Sequence, residues 1–277
     1  MIGSIIGDIV GSRFEFDNTF KKDFDIFHPS CTFTDDTVLT VCTADVLTNG
    51  GSYLEKYQEG YFDYPYRGWG GNFLSMASQG KLQPYGSFGN GSAMRVSPVG
   101  WASTSREEVL EEAKKSAEVT HDHPEGIKGA QAVALAIYYA RNGMNKKTIL
   151  KEVAALGYTI LPLSFYPTCF DETCQGTIPL CMALFNESKS YEDAIRITIA
   201  QGGDCDTTAC IVGGIAEAFY GKPDQSLIDY AYKKMPFSMS VKVTAFIRQS
   251  CYSDFEAPNV ERDAFNTIMS AFKSLWS

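Results

Sequence analysis

The sequence contains no run of about 18 apolar residues, the minimum for a membrane-spanning helix, so no transmembrane segment is expected. Its opening stretch, MIGSIIGDIVGSRFEF, lacks the basic start and small-residue cleavage site of a signal peptide. It also carries Asp8 within the apolar run, which predicts a buried helix instead. There is no surplus of basic charge: 24 Lys and Arg stand against 33 Asp and Glu, a net charge of −9. That balance argues against binding nucleic acid through a basic surface. The eight cysteines include no Cys-x-x-Cys pair, so reduced core thiols in a cytoplasmic protein are expected. With three histidines in all, a histidine-rich zinc site is also disfavoured. No linker rich in Pro, Ser or charge, no repeat and no low-complexity segment interrupts the chain, which predicts one domain over residues 1–277.

Strand signals are scarce as well. Residues 159–165 form the only β-like run, and nearby prolines limit it. Helical periodicity dominates. Val38, Leu39, Cys42, Val46 and Leu47 lie along one stripe of a helix over 35–48. Residues 105–120 open with Ser105 and Glu108, a capping signature, and residues 125–141 are apolar nearly all round, as in a central buried helix. Further helices are expected at 145–156, 171–185, 190–200, 206–220, 225–234 and 259–275. The architecture that follows is all-α: a single-domain orthogonal bundle of ten or more helices, with its chemistry at loops between helix N-termini.

Two aspartate clusters stand immediately before helical runs: Thr34-Asp35-Asp36-Thr37 and Gly202-Gly203-Asp204-Cys205-Asp206-Thr207-Thr208. Asp and Thr are ordinary helix caps, and acids in a first turn complement the helix dipole. One cap needs only one acceptor, however, and each cluster supplies two carboxylates plus a hydroxyl. Gathered without cations, four such acids repel. All-oxygen ligands suit Mg²⁺ or Mn²⁺, and Cys205 is a packing residue. The runs after the clusters are expected to pack side by side with their N-termini level. A third feature, Tyr85-Gly86-Ser87-Phe88-Gly89-Asn90-Gly91, has the glycines of a plain turn or of an anion-binding nest. His121, at a helix end, reads as a dipole partner or as a substrate hydrogen-bonder.

In order, Gly3-x-x-x-Gly7-Asp8-x-x-Gly11-x-x-x-Glu15, Thr34-Asp35-Asp36-Thr37, Gly89-Asn90-Gly91-Ser92-Ala93-Met94-Arg95, Thr120-His121 and Gly202-Gly203-Asp204-x-Asp206-Thr207 resemble the ADP-ribosylglycohydrolase family over about residues 1–220. The resemblance implies an all-α hydrolase with a binuclear centre of two Mg²⁺ or Mn²⁺ ions. Thr34, Asp35, Asp36, Asp204, Asp206 and Thr207 are implied as metal ligands. Glu15 is implied to gate or ligate one ion, and Ser87, Phe88, Gly89 and Asn90 to surround the phosphates and ribose of ADP-ribose. Asp8 is expected to be structural, bonding helix starts, and Arg95 to pair with a carboxylate inside the fold. One departure is that some nitrogenase-regulating relatives carry an acid just before the Gly-Asn-Gly motif, where this chain has Ser87-Phe88.

The reaction implied is attack of water on the anomeric carbon of the distal ribose, releasing ADP-ribose from a modified protein or small molecule. Asp35, Asp36 or Glu15 would take the proton. Two other classes share these features: a non-catalytic crystallin-like or ADP-ribose-binding protein of the same fold, and a two-metal nucleotide phosphohydrolase.

Overall fold

A computed structural model describes residues 1–258; the helix expected at 259–275 lies outside the described residues. Among the described residues are fourteen α-helices: α1 Ile2–Gly11, α2 Asp35–Asn49, α3 Tyr53–Asp63, α4 Gly71–Ala77, α5 Gly91–Met94, α6 Ser97–Ala102, α7 Arg106–Glu118, α8 Pro124–Arg141, α9 Lys146–Ala154, α10 Cys174–Glu187, α11 Tyr191–Gln201, α12 Cys205–Tyr220, α13 Gln225–Lys234 and α14 Phe237–Phe246. The described residues contain no strand. The run at 159–165 is extended and then turns through a short 3₁₀ segment, Leu163–Phe165. Pro162 removes a ladder donor.

The centre of the molecule is the contact between α1 and α12. Every residue of α1 is buried, and Ile2, Ile5, Ile6 and Ile9 are fully so. Each such side chain stabilises the fold by about 1.5–3 kcal/mol. Gly3, Gly7 and Gly11, four residues apart, line one face of α1 and lie against the backbone of α12. A Cβ on Gly7 would sit 2.0 Å from the Ala209 carbonyl oxygen, and one on Gly11 2.5 Å from that of Cys205. No residue but glycine lets two helix backbones approach so closely. This arrangement corrects the expected pairing of α2 with α12: α1 packs along α12, whereas α2 reaches α12 less extensively, with Thr207 bonding Asp36 where they meet.

The other elements enclose this pair. Helix α8 is largely buried, with α6, α7, α9, α10 and α12 around it. The cap at Ser105 forms as expected, its hydroxyl accepting from Glu108 N at 3.1 Å. Glu108 reaches back to Thr104 N at 2.7 Å, one residue earlier than a capping box places it. Helices α3, α4, α5, α6 and α14 are not anticipated by the periodicity; α4, α5 and α6 are too short to show a stripe.

Candidate functional site

Close packing of α1 on α12 sets the site. Asp8, next to Gly7, has no exposed surface. One of its oxygens accepts from Thr34 N at 3.0 Å and Thr37 N at 3.1 Å, and also from the Thr37 hydroxyl. The other accepts from Thr34 Oγ1 at 2.7 Å. Asp8 thus binds the start of α2 to α1. Thr34 Oγ1 has one hydrogen, and the contact to Asp8 is shorter than the 3.3 Å to Asp36 Oδ2, so the hydrogen goes to Asp8.

The second cluster arrives from the other side. Gly202 and Gly203 turn the chain with φ of 77° and 83°, and place Asp204 as the cap residue of α12. Thr207 Oγ1 then donates to Asp36 Oδ2 at 3.2 Å, joining residues 171 apart in the chain. Carboxylate oxygens of Asp8, Asp36 and Asp206 all lie within 4.8 Å of one another. Asp36 Oδ1 is buried and accepts no hydrogen bond among the described residues. Burial, then the charge of Asp206, pushes Asp35 and Asp36 well above the usual carboxylate range; burial and Asp204 do the same to Asp206. Burial raises Asp204 to about 6, against the hydrogen bond from Asn90. An unsatisfied carboxylate oxygen within a crowded set of oxygen donors fits a hard divalent cation.

The glycine loop forms a second wall. Asn90 N donates to Glu172 O at 2.7 Å and Cys174 N to Phe88 O at 2.9 Å, pinning the loop to the start of α10. Gly89 N donates to Ser87 Oγ at 3.2 Å. The Asn90 carboxamide donates to Asp204 Oδ2 at 2.8 Å and to Thr177 Oγ1 at 3.1 Å. Both its hydrogens are thereby engaged by protein, and Asn90 anchors Asp204. His121, almost buried, faces the loop: Cβ atoms built on Gly91 and Gly89 would lie 3.1 and 3.6 Å from its Nε2. Burial, then the nearby Arg95 charge, lowers the His121 pKa well below the usual imidazole value.

Glu15 follows the 3₁₀ turn Ser12–Phe14 and stands over the acidic cluster. Its carboxyl is raised to about 8, by burial and then by Asp206. Of the residues singled out in the sequence, Glu15, Asp35, Asp36, Ser87, Gly89, Asn90, His121, Asp204, Asp206 and Thr207 line one cleft. Thr34 and Phe88 are not on its wall; Thr34 is buried behind it, and the Phe88 ring is partly exposed beside His123.

A family model described as ADP-ribosylglycohydrolase matches residues 1–224. The chain belongs to the ADP-ribosylglycohydrolase family. It is 26% identical to ADP-ribosylhydrolase ARH3 of Danio rerio, over 80% of this chain and 81% of that protein. It is 23% identical to the Homo sapiens ADP-ribosylhydrolase ARH3, over 80% and 84%. A third relative, ADP-ribosyl-[dinitrogen reductase] glycohydrolase of Rhodospirillum rubrum, is 27% identical over 51% of this chain and 50% of its own. A solved ADP-ribosylglycohydrolase-related protein complex shares the fold, with a TM-score of 0.69 at 21% identity, covering 90% of this chain and 95% of that one.

For an ADP-ribosylglycohydrolase family member, Glu172 and Asn18, which lie outside the sequence motifs, matter here, and Asp8 and Arg95 act otherwise than expected. Asp8, expected to be structural only, both binds the start of α2 and belongs to the acidic cluster. Glu172 lines the cleft, and its charge bears on Glu15 and Asp204. Asn18 donates to Gly203 O at 3.0 Å and accepts from Gly203 N at 2.9 Å, while its amide also meets Phe14 O at 2.5 Å. It thereby clasps the Glu15 turn to the Asp204 loop, and Phe16 stacks on Phe170 at 5.9 Å alongside. No local sequence signal marks Asn18 or Glu172, since each acts through backbone or charge brought close by folding. The expectation for Arg95 is corrected. Among the described residues it pairs with no carboxylate; fully buried, it donates to Ser116 O and Thr120 Oγ1, both at 2.8 Å, and lies 4.2 Å from the Tyr57 ring centroid. The carbonyls at the end of α7 supply the negative pole that a carboxylate was expected to supply.

Proposed function

We propose that the protein hydrolyses the glycosidic bond joining ADP-ribose to a modified protein side chain or small molecule, with two Mg²⁺ or Mn²⁺ ions held by the acidic cluster. The observation that carries this is the meeting of Asp36 and Thr207, 171 residues apart, beside Asp8 and Asp206 in a cleft also walled by the glycine loop and His121. Membership of the family supports the same reaction. Thr34, Asp35, Asp36, Asp204, Asp206 and Thr207, joined by Asp8, are the residues assigned to hold the cations. Bound there, the cations would supply Lewis acidity, holding ribose hydroxyls and lowering the pKa of the attacking water.

The chain's own groups take the remaining roles. Asp35, Asp36 or Glu15 accepts the proton of the water that attacks the anomeric carbon. Surrounding carboxylates favour the positive charge that develops on the ribose as the bond to the leaving group stretches. Asn90 keeps Asp204 oriented. Ser87 and Gly89 border the diphosphate and proximal ribose, with Phe88 beside them outside the cleft wall, and His121 offers a hydrogen bond from the facing wall. The test is incubation of purified protein with Mg²⁺ and a panel of defined arginine, serine and O-acetyl conjugates of ADP-ribose. Free ADP-ribose is the expected product. Inorganic phosphate in its place would establish a phosphohydrolase, and no turnover of any conjugate with intact ADP-ribose binding would establish a binding protein.

A further inference from the structure

Behind the cleft wall three side chains form a hydrogen-bonded series. Arg95 Nη2 donates to Thr120 Oγ1 at 2.8 Å, and Thr120 Oγ1 lies 2.8 Å from His121 Nδ1. Arg95 and Thr120 have no exposed surface, and His121 is 5% exposed. A guanidinium group only donates, whereas a hydroxyl carries one hydrogen and two lone pairs. Arg95 therefore occupies a lone pair of Oγ1 and gives its hydrogen nowhere to go. Of the atoms bonded to Oγ1 among the described residues, only His121 Nδ1 can accept that hydrogen. The reverse assignment, with a hydrogen on Nδ1, strands the Thr120 hydrogen in a dry interior, the costlier arrangement. A charged ring would also carry a hydrogen on Nδ1, and it is further disfavoured by burial and by the Arg95 charge. Tyr85, with its ring centroid 5.8 Å away and its pKa raised by burial, contributes no charge near neutrality. With Nδ1 accepting, the ring hydrogen sits on Nε2, the atom facing Gly89 and Gly91.

We propose that Arg95 and Thr120 are positioning residues that lock His121 in its Nε2–H tautomer, presenting one fixed, neutral donor to the cleft. Its acceptor is an oxygen of the diphosphate or ribose of the ligand. That use rests on the function proposed above, whereas the tautomer itself does not. A neutral donor keeps its hydrogen across the physiological pH range, so this contact does not switch with pH as an imidazolium contact would.

The experiment is long-range ¹H–¹⁵N NMR of the ligand-free ¹⁵N-labelled protein at neutral pH. Its three histidines are assigned with His28→Gln and His123→Gln variants. For His121, Nδ1 is expected in the unprotonated region and Nε2 in the protonated region. Thr120→Ser keeps this signature. Thr120→Val, of similar size but without the hydroxyl, gives a mixture of tautomers and weakens ADP-ribose binding about tenfold by calorimetry, a loss that Thr120→Ser does not share. An Nδ1–H or charged ring in the wild type overturns the proposal, as does a Thr120→Val protein with an unchanged tautomer. Should Thr120→Val fail to fold, the wild-type spectrum alone decides. An Nε2–H ring in a wild-type protein that binds no ADP-ribose upholds the lock and refutes the proposed function.

Discussion

Replacing Gly7 with alanine tests the contact on which the site is built. The added Cβ would sit 2.0 Å from Ala209 O and 2.4 Å from its carbonyl carbon, where Cβ atoms almost never come nearer than 3.0 Å. The helices must therefore part by about 1 Å locally. Both sides of the clash are helix backbone, so no rotamer change relieves it. Overpacking of this kind costs about 1–3 kcal/mol, and backbone against backbone belongs at the upper end. Alanine returns about 1 kcal/mol through its better helix propensity. The net, about 2 kcal/mol, corresponds to a Tm lower by roughly 4–8 °C in a chain of this size. Gly71→Ala is the control, because nothing lies within 4 Å of its Cβ position. Asp8 adjoins Gly7, so parting α1 from α12 also widens the acidic cluster, and Mn²⁺ affinity measured by calorimetry should fall with Tm. Differential scanning calorimetry of both variants decides the matter. A Gly7→Ala Tm equal to wild type, with Mn²⁺ affinity unchanged, would refute the close packing and its link to the site.

Chelation should abolish hydrolysis and Mg²⁺ or Mn²⁺ restore it, while Asp206→Ala binds fewer ions by elemental analysis yet stays folded by circular dichroism; full activity in excess chelator would contradict the metal assignment. In the chelated protein, the acids raised in the folded state bind protons more tightly folded than unfolded. Their contribution is whole below about pH 4 and is lost as pH climbs through about 6 for Asp204 and about 8 for Glu15. Thermal melts should show that decline, reduced in Asp36→Asn and flattened by Mg²⁺; an equal decline in Asp36→Asn would count against it. Gly89→Val should weaken ADP-ribose binding about tenfold or more, because its branches enter the space between Ser87, Glu172 and His121; an unchanged affinity returns the loop to a plain turn. Asn18→Ala removes two hydrogen bonds to Gly203, each worth ~0.5–1.5 kcal/mol. Amide exchange at Gly203 should quicken, and unchanged protection there would show that Asn18 clasps nothing.

What could be read from the amino-acid order is what neighbours in the chain decide. Val38, Leu39, Cys42, Val46 and Leu47 mark α2, and Ser105 caps α7, because periodicity and capping act over one or two turns. Paired carboxylates ahead of α2 and α12 were legible for the same reason: a helix start is a local object, and two acids exceed what one cap needs. The ordered motifs carried the family, and with it the all-α fold.

Tertiary structure decided which of these local objects meet. Asp8 reads as one acid in an apolar helix until Gly3, Gly7 and Gly11 bring α1 onto α12 and Asp8 beside Asp36 and Asp206. Asn90 reads as part of a ligand loop, and only folding sets its amide on Asp204 as well. Arg95 invites a carboxylate partner, but the Ser116 carbonyl near the end of α7 and the Thr120 hydroxyl occupy that place. The physical reason is common to all three. A polar side chain, once buried, must satisfy its donors and acceptors with whatever folding brings within about 3 Å, and most of those partners lie far away in the chain.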